Sequence, residues 1–199
     1  MLRGMTWPVS IKSFLITSVI LAQGIASGSP ALPVDLGGSS VDPPANDRSE
    51  VVVLVFAGVD CPISNRYVPT VNRLYQDYAS ADTSFWYVYP GSHFNKQDVK
   101  SHVREYNIMA PALIDRDGYL VRKAQATVTP EVAVYLTRAA GSEYIGWIYR
   151  GRIDDRYTDF GKWRLKPSRQ DLKEVLQSLA DGQRPAFRET TAIGCYISE

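Results

Sequence analysis

Two cysteines are the residues of this chain with the clearest capacity for chemistry, and Cys61 has the more informative surroundings. It follows the apolar run Val51–Phe56 and stands directly before Pro62, after which apolar residues recur at helical spacing. Cys61 is therefore predicted at the start of a helix, where unpaired N–H groups and the positive end of the helix dipole favour a thiolate. The pattern indicates a reactive nucleophile, against the alternative of an inert buried cysteine in a strand-to-helix corner.

The turn around Cys61 carries two charges with opposite expected effects on the thiol. Asp60 would oppose its ionisation, whereas Arg66 would support it. Pro62 suits the first helical position, because the N–H that proline lacks would have no partner there. We therefore group Asp60, Pro62, Ser64 and Arg66 with Cys61 as one candidate active-site turn.

Alternating strands and helices surround this turn and predict an α/β fold with an at least partly parallel sheet. Val51–Phe56 is continuously apolar and β-branched, as expected of a central strand buried on both faces. The elements predicted further along the chain are a strand over 84–89, a helix over 97–106, a strand over 112–115, a hairpin of strands 131–137 and 144–149 with its turn at 139–142, and a last helix from an N-cap at Ser168 to Gly182.

Residues 1–26 have the pattern of a secretory signal peptide, with a basic start, a short apolar run and then small residues. The apolar run is shorter than the roughly 20 residues of a membrane-spanning helix, so we expect cleavage near Ala26. Only an uncleaved signal would link the protein to a membrane. We expect an exported protein, periplasmic or extracellular, with 27–49 as a linker or N-terminal hairpin, 50–182 as the domain and 183–199 as a tail that carries Cys195.

Composition limits the class of partner. The chain has 199 residues, with 22 Lys+Arg against 21 Asp+Glu and a formal net charge of +1. A charge so close to zero provides no broad field for a polyanion, so a nucleic-acid partner is not expected. Two cysteines and two histidines also provide no zinc cluster of the usual spacing.

Several motifs together resemble the thioredoxin fold. Pro69 lies eight residues after Cys61, which is the spacing of the helix-kinking proline of thioredoxins, and Thr129-Pro130 stands where they carry a cis-proline. Three further segments are similar to those of exported redoxin-domain proteins: Asp60–Tyr67, Tyr149–Asp155 and Gly194-Cys195. Over about residues 50–181 the chain thus resembles the redoxin branch of the fold, the AhpC/TSA and TlpA-type exported proteins, and 32–41 would form the N-terminal hairpin.

This resemblance implies a thiol-disulfide oxidoreductase with Cys61 as nucleophile and no cofactor. Its partners would be protein thiols or disulfides, or small thiol oxidants, together with an external reductant. The backbone before Pro130, at Thr129, would be the substrate-binding edge, because an extended segment can pair with it as an added strand.

The chain departs from the resemblance at Ser64, which occupies the position of the second cysteine of Cys-x-x-Cys. No disulfide can form within the turn, so Cys195 is the remaining thiol that could resolve an intermediate on Cys61. A redox pair and a purely structural disulfide both stay open. Closing so long a loop would restrain the unfolded chain by about 5 kcal/mol, which is a sufficient reason for a structural bond.

A peroxiredoxin-like thiol peroxidase is one alternative on the same fold. Such enzymes have Pro and Thr where this chain has Leu54 and Gly58, so two groups of the peroxide pocket are missing. Arg150 or Arg152 would have to polarise the peroxide, although both are better interpreted as solvated partners of nearby aspartates.

An SCO-like copper protein is the alternative from another class, and a thioredoxin-fold interaction domain without chemistry is a third. A copper site would use Cys61, Cys195 and His93 or His102 as ligands, since soft thiolates select copper. Asn65 stands where the second copper cysteine is expected. We interpret both histidines as surface residues and predict no metal site.

Overall fold

The computed structural model describes Met1, 31–137 and 145–198. The predicted export signal over 1–26, apart from Met1, and the predicted turn over 139–142 lie outside these residues. The helices are α1 (Pro43–Asn46), α2 (Pro62–Tyr78), α3 (Lys96–Glu105), α4 (Tyr119–Ala124) and α5 (Asp171–Ala180). The strands are β1 (Val34–Asp35), β2 (Val51–Phe56), β3 (Thr83–Pro90), β4 (Ala112–Asp115), β5 (Val128–Thr129), β6 (Glu131–Leu136), β7 (Gly146–Gly151), β8 (Tyr157–Asp159), β9 (Lys162–Trp163), β10 (Arg188–Glu189) and β11 (Cys195–Tyr196).

The predicted α/β fold is confirmed, and its centre is a seven-stranded mixed sheet in the order β1-β4-β3-β2-β6-β7-β10. Strand β2 is the middle strand, parallel to β3 and antiparallel to β6. All six of its residues are buried, as the continuous apolar run predicts. The small pairs β5-β11 and β8-β9 lie outside this sheet.

The two faces of β2 belong to two apolar cores, because successive side chains of a strand point to opposite faces. Val53 lies in the larger core with Leu74 of α2 and Leu176 of α5. Leu54 lies in the smaller core with Leu120 of α4. Helices therefore cover both faces, and their packing fixes the corner at which β2 ends and α2 begins.

The last helix differs from its prediction at its start. Helix α5 begins at Asp171 with Gln170 as its N-cap, not with Ser168. The Ser168 N–H instead donates to the carboxylate of Asp155 at 2.6 Å, so it is bound before the helix begins. The side chain of Asp171 accepts from Arg152, the residue after β7, at 2.7 Å. Asp171 is therefore part of an ion pair and does not form a capping box with Ser168.

Residues 34–40, within the segment interpreted as a linker or a hairpin, form a tight turn. Val34 forms a bridge with Ser40, and the turn between them is closed by the Asp35 carboxylate, which accepts from the N–H of Gly38 at 2.6 Å. Gly38 has φ +102°, a conformation that glycine adopts without strain. Strand β1 then pairs with β4 at the edge of the sheet. Among the helices described, none combines the length and apolar character that crossing a bilayer requires.

The tail, described over 183–198, is joined to the domain by two short strands. Strand β10 pairs in parallel with β7, and β11 pairs antiparallel with β5. Thr190 fixes the path between these strands: its N–H donates to the Arg150 carbonyl at 3.0 Å, and its hydroxyl lies 2.7 Å from that of Tyr149. Two short strands thus bring the end of the chain back to the start of α2.

Candidate active site

Cys61 is the N-cap of α2 and the first residue after the turn that follows β2. Pro62 occupies the first helical position, and the N–H of Asn65 donates to the Cys61 carbonyl at 3.0 Å to close the first turn. The predicted corner is therefore present. Cys61 is deeper than a surface nucleophile, however, since only 1% of it is exposed.

Cys195 lies directly against Cys61, although 134 positions separate them in the chain. The Cys195 thiol donates to Cys61 Sγ at 2.8 Å, and both cysteines are free thiols. The Cys61 thiol in turn donates to the Thr129 carbonyl at 3.0 Å. The two sulfurs are close enough for a small displacement to bring them to the roughly 2.05 Å of a disulfide bond.

The third part of the site is the loop that precedes β6. The Thr129–Pro130 peptide bond is cis, as the resemblance predicts. Thr129 lies opposite Cys195 in the β5-β11 pair, and both Thr129 and Pro130 are buried. The expected substrate-binding edge is thus beside Cys61, but residues of the chain's own tail already pair with it.

Glu131 supports this loop, although it is not among the residues predicted for the site. Its carboxylate accepts from the N–H groups of Thr127 at 2.7 Å and Val128 at 3.3 Å, so it ties β5 to the start of β6. Only 5% of Glu131 is exposed. An acid at the head of an otherwise apolar strand was the available signal, because buried carboxylates need such partners.

The two thiols have opposite pKa shifts. Burial raises the pKa of Cys61, but hydrogen bonds from Cys195, Ser64 and Thr129 outweigh burial and leave it below the ordinary value. Burial, the adjacent Cys61 and the charge of Asp60 raise the pKa of Cys195 to about 12. Cys61 therefore loses its proton first, and the Cys195 thiol remains to donate to the resulting thiolate.

The charges of the turn act differently from their prediction. Asp60 opposes the ionisation of Cys195, as noted. Arg66 turns away from the sulfurs: it donates to the Tyr157 hydroxyl at 3.3 Å and lies over the ring of Trp163. The buried Ser64 takes the supporting role, because its side chain and its backbone both lower the pKa of Cys61.

His102 corrects the prediction of a surface histidine. It is buried, with Nδ1 2.9 Å from the Tyr89 hydroxyl and Nε2 2.8 Å from Asn65 Oδ1. The amide of Asn65 donates to the Val59 carbonyl at 3.3 Å, so this network holds the turn before Cys61. Burial lowers the pKa of His102, which matches a neutral ring within the network.

The residues that the copper and peroxidase alternatives would require do not gather around the two sulfurs. His93 is exposed and lies in the wall of a cleft of about 210 Å³ beside Cys195. Across the described ranges, no three His, Cys, Asp or Glu side chains form a cluster that could hold a metal. Arg150 pairs with Glu189, and Arg152 pairs with Asp171 instead of the neighbouring aspartates.

The pH dependence of alkylation should separate the two thiols. The thiolate fraction rises with pH, so the reaction of Cys61 with iodoacetamide is expected to have its midpoint below the ordinary thiol value, and that of Cys195 at about 12. Peptide mass mapping after timed labelling measures each cysteine separately. A midpoint for Cys61 at or above the value of a free thiol would contradict the assigned electrostatics.

No protein-family model matches the chain, and no curated protein matches it significantly. Solved structures do match. A hypothetical protein from Sinorhizobium meliloti is 19% identical with a TM-score of 0.68, covering 85% of this chain and 90% of its own. An uncharacterized conserved protein from Geobacillus kaustophilus is 20% identical with a TM-score of 0.67, covering 86% and 89%.

A candidate thiol-disulfide oxidoreductase from Bacteroides vulgatus is also similar, at 15% identity and a TM-score of 0.53, covering 79% of this chain and 93% of its own. Identities this low establish shape and not activity. The similar structures, together with the strand order and the cis peptide bond before Pro130, show that the chain has a thioredoxin-like fold.

Proposed function

We propose that the protein is an exported thiol-disulfide oxidoreductase in which Cys61 is the nucleophile and Cys195 the resolving thiol. The observation that carries the proposal is the 2.8 Å contact between two thiols with opposed pKa shifts. The signal-like pattern of 1–26 supports export, the core of 50–182 supports a single catalytic domain, and the docked tail contributes its cysteine to that domain.

The reaction has two exchange steps. The Cys61 thiolate attacks a substrate disulfide, forms a mixed disulfide and releases one substrate thiolate. Cys195, once deprotonated, then attacks Cys61 Sγ, which releases the second substrate thiolate and leaves a Cys61–Cys195 disulfide. An external thiol reductant returns both cysteines to thiols. The substrates are protein disulfides or small oxidised thiols, and no cofactor is needed for either step.

The active-site groups have separate roles in these steps. Ser64 cannot form a disulfide, but it stabilises the Cys61 thiolate in place of a second cysteine. The Thr129 carbonyl holds the neutral Cys61 thiol at rest, and Pro130 shapes the edge at which a polypeptide would pair. Burial and the adjacent Cys61 keep Cys195 protonated, with a smaller contribution from Asp60, and the contribution of the Cys61 thiolate ends once Cys61 has reacted.

Oxidised glutathione tests the pairing directly. The full chain, incubated with it and then blocked with acid, is expected to lose two hydrogen atoms and to give one linked peptide that contains Cys61 and Cys195. The contact of the two sulfurs makes the internal bond faster than a second glutathione reaction. Glutathione retained on Cys61 beside a free Cys195 would show that Cys195 does not resolve it.

A further inference from the structure

The end of the chain, residues 193–198, lies across the cis-proline loop, and we call this segment the strap. Cys195 pairs with Thr129 and Tyr196 with Val128, both antiparallel. Beyond them the N–H of Ile197 donates to the Thr127 carbonyl at 3.0 Å. The strap therefore uses the backbone edge of β5 in the way that an added strand would.

Apolar contacts hold the strap on both sides of Cys195. Ile193 packs against the larger core and Ile197 against the smaller one. Tyr196, between these contacts, is 87% exposed and contributes little to holding the segment. The strap is thus anchored at alternate positions, as expected of a strand with one face turned inward.

Gly194 shows how closely the strap approaches the loop. A Cβ built at this position would lie 2.2 Å from the Thr129 carbonyl oxygen and 3.1 Å from the Pro130 nitrogen. Both neighbours are backbone atoms, so a flexible side chain cannot relieve the clash. Docking in this register therefore requires glycine directly before the cysteine.

The strap also covers the nucleophile. Cys61 is 1% exposed, and among the described residues the adjacent cleft is lined by Cys195 and not by Cys61. A polypeptide that paired with Thr129 would need the backbone groups that the strap already uses. Strap and polypeptide cannot occupy β5 together.

We propose that the strap is the resident occupant of the polypeptide-docking edge and has to leave β5 before a protein substrate reaches Cys61. The consequence for substrates rests on the proposed function, whereas the occupancy itself does not. A Cys61–Cys195 disulfide ties the strap down, and two external thiols release it, giving two protein thiols and one external disulfide. A competing segment that presents its cysteine in the same register has to be extended and to carry Gly-Cys.

Gly194→Ala in the reduced full chain is the test, with Thr191→Ala as its control at an exposed tail position. The added methyl should displace the strap, so the rate of Cys61 alkylation by iodoacetamide on its high-pH plateau should rise at least about tenfold, with faster deuterium uptake over 193–198. Comparing plateaus removes any change in thiolate fraction. Thr191→Ala should match the unchanged protein. An unchanged plateau in Gly194→Ala, with deuterium uptake also unchanged, would overturn the proposal.

A peptide supplied in trans examines the same edge independently. The sequence Ile-Gly-Ser-Tyr-Ile, with serine in place of the cysteine, should restore protection of Cys61 in Gly194→Ala, whereas Ile-Ala-Ser-Tyr-Ile should not. Equal protection by both peptides, or by neither, would contradict the glycine requirement.

If Gly194→Ala does not fold, Ile197→Ser provides a second variant in which the strap is displaced. None of these measurements needs turnover, so a protein with a confirmed strap but no exchange activity would refute the proposed function alone.

Discussion

Replacing Cys61 by serine is expected to lower the rate of thiol-disulfide exchange at least about a hundredfold, because a neutral hydroxyl cannot replace the thiolate that attacks the disulfide. The fold should survive. The serine hydroxyl can donate to the Thr129 carbonyl as the thiol does, so no buried polar group loses its partner. Reduction of a disulfide substrate by dithiothreitol, with and without the protein, measures the rate, and circular dichroism checks the fold.

Ser64→Ala is a matched control within the same turn. It keeps both sulfurs and removes one hydrogen-bonding group that lowers the pKa of Cys61. Its exchange rate near neutral pH should fall far less than that of Cys61→Ser and should recover as the pH is raised. If Cys61→Ser kept most of the exchange activity, Cys61 would not be the nucleophile and the assignment of the site would be wrong.

The corner that positions Cys61 could be predicted because its signals are local. A continuous β-branched run specifies a buried strand, and a proline at the first helical position specifies where the following helix begins. Residues Val51–Phe56 and Pro62 carry both signals within a few positions of the cysteine, and the structure has both elements where they are predicted.

The tail could not be predicted because its strands depend on partners far away in the sequence. Strands β10 and β11 have two residues each, and such short segments are specified by the edges they meet rather than by their own propensity. The close approach of Gly194 to Thr129 likewise exists only in the folded chain. The sequence therefore indicated a second thiol without indicating how it reaches the first.

Two polar residues show the same limit inside the domain. Ser168 has the spacing of a helix cap, but the Asp155 carboxylate already binds its N–H. His102 lies on the buried face of α3 because Asn65 and Tyr89 provide hydrogen-bond partners from other elements. In both cases a residue type suited to the surface is satisfied by tertiary contacts, which periodicity does not reveal.

Replacing Cys195 by serine is expected to preserve the first attack and block the second step. Mixed disulfides between Cys61 and a substrate should then accumulate to nearly the amount of protein, because Ser64 cannot resolve them. Non-reducing mass spectrometry after exposure to a disulfide substrate measures the trapped fraction. A variant that turned over normally, with no trapped species, would leave a mechanism that uses Cys61 and external thiols alone.

The reduction potential and the stability then distinguish a redox pair from a structural disulfide. A bond across the 134 positions between Cys61 and Cys195 would stabilise the fold by about 5 kcal/mol in the loop-entropy account, and by linkage the fold would make the bond equally hard to reduce. The contacts of the reduced site make the bond easier to reduce, because Ser64 and the Cys195 thiol stabilise the Cys61 thiolate and hence the reduced state. We therefore expect a potential between about −270 and −180 mV, and a difference in unfolding free energy between the two redox states well below about 5 kcal/mol.

Glutathione titration and urea unfolding of both states measure these quantities. A potential below about −300 mV together with the full loss of stability on reduction would identify a structural disulfide instead.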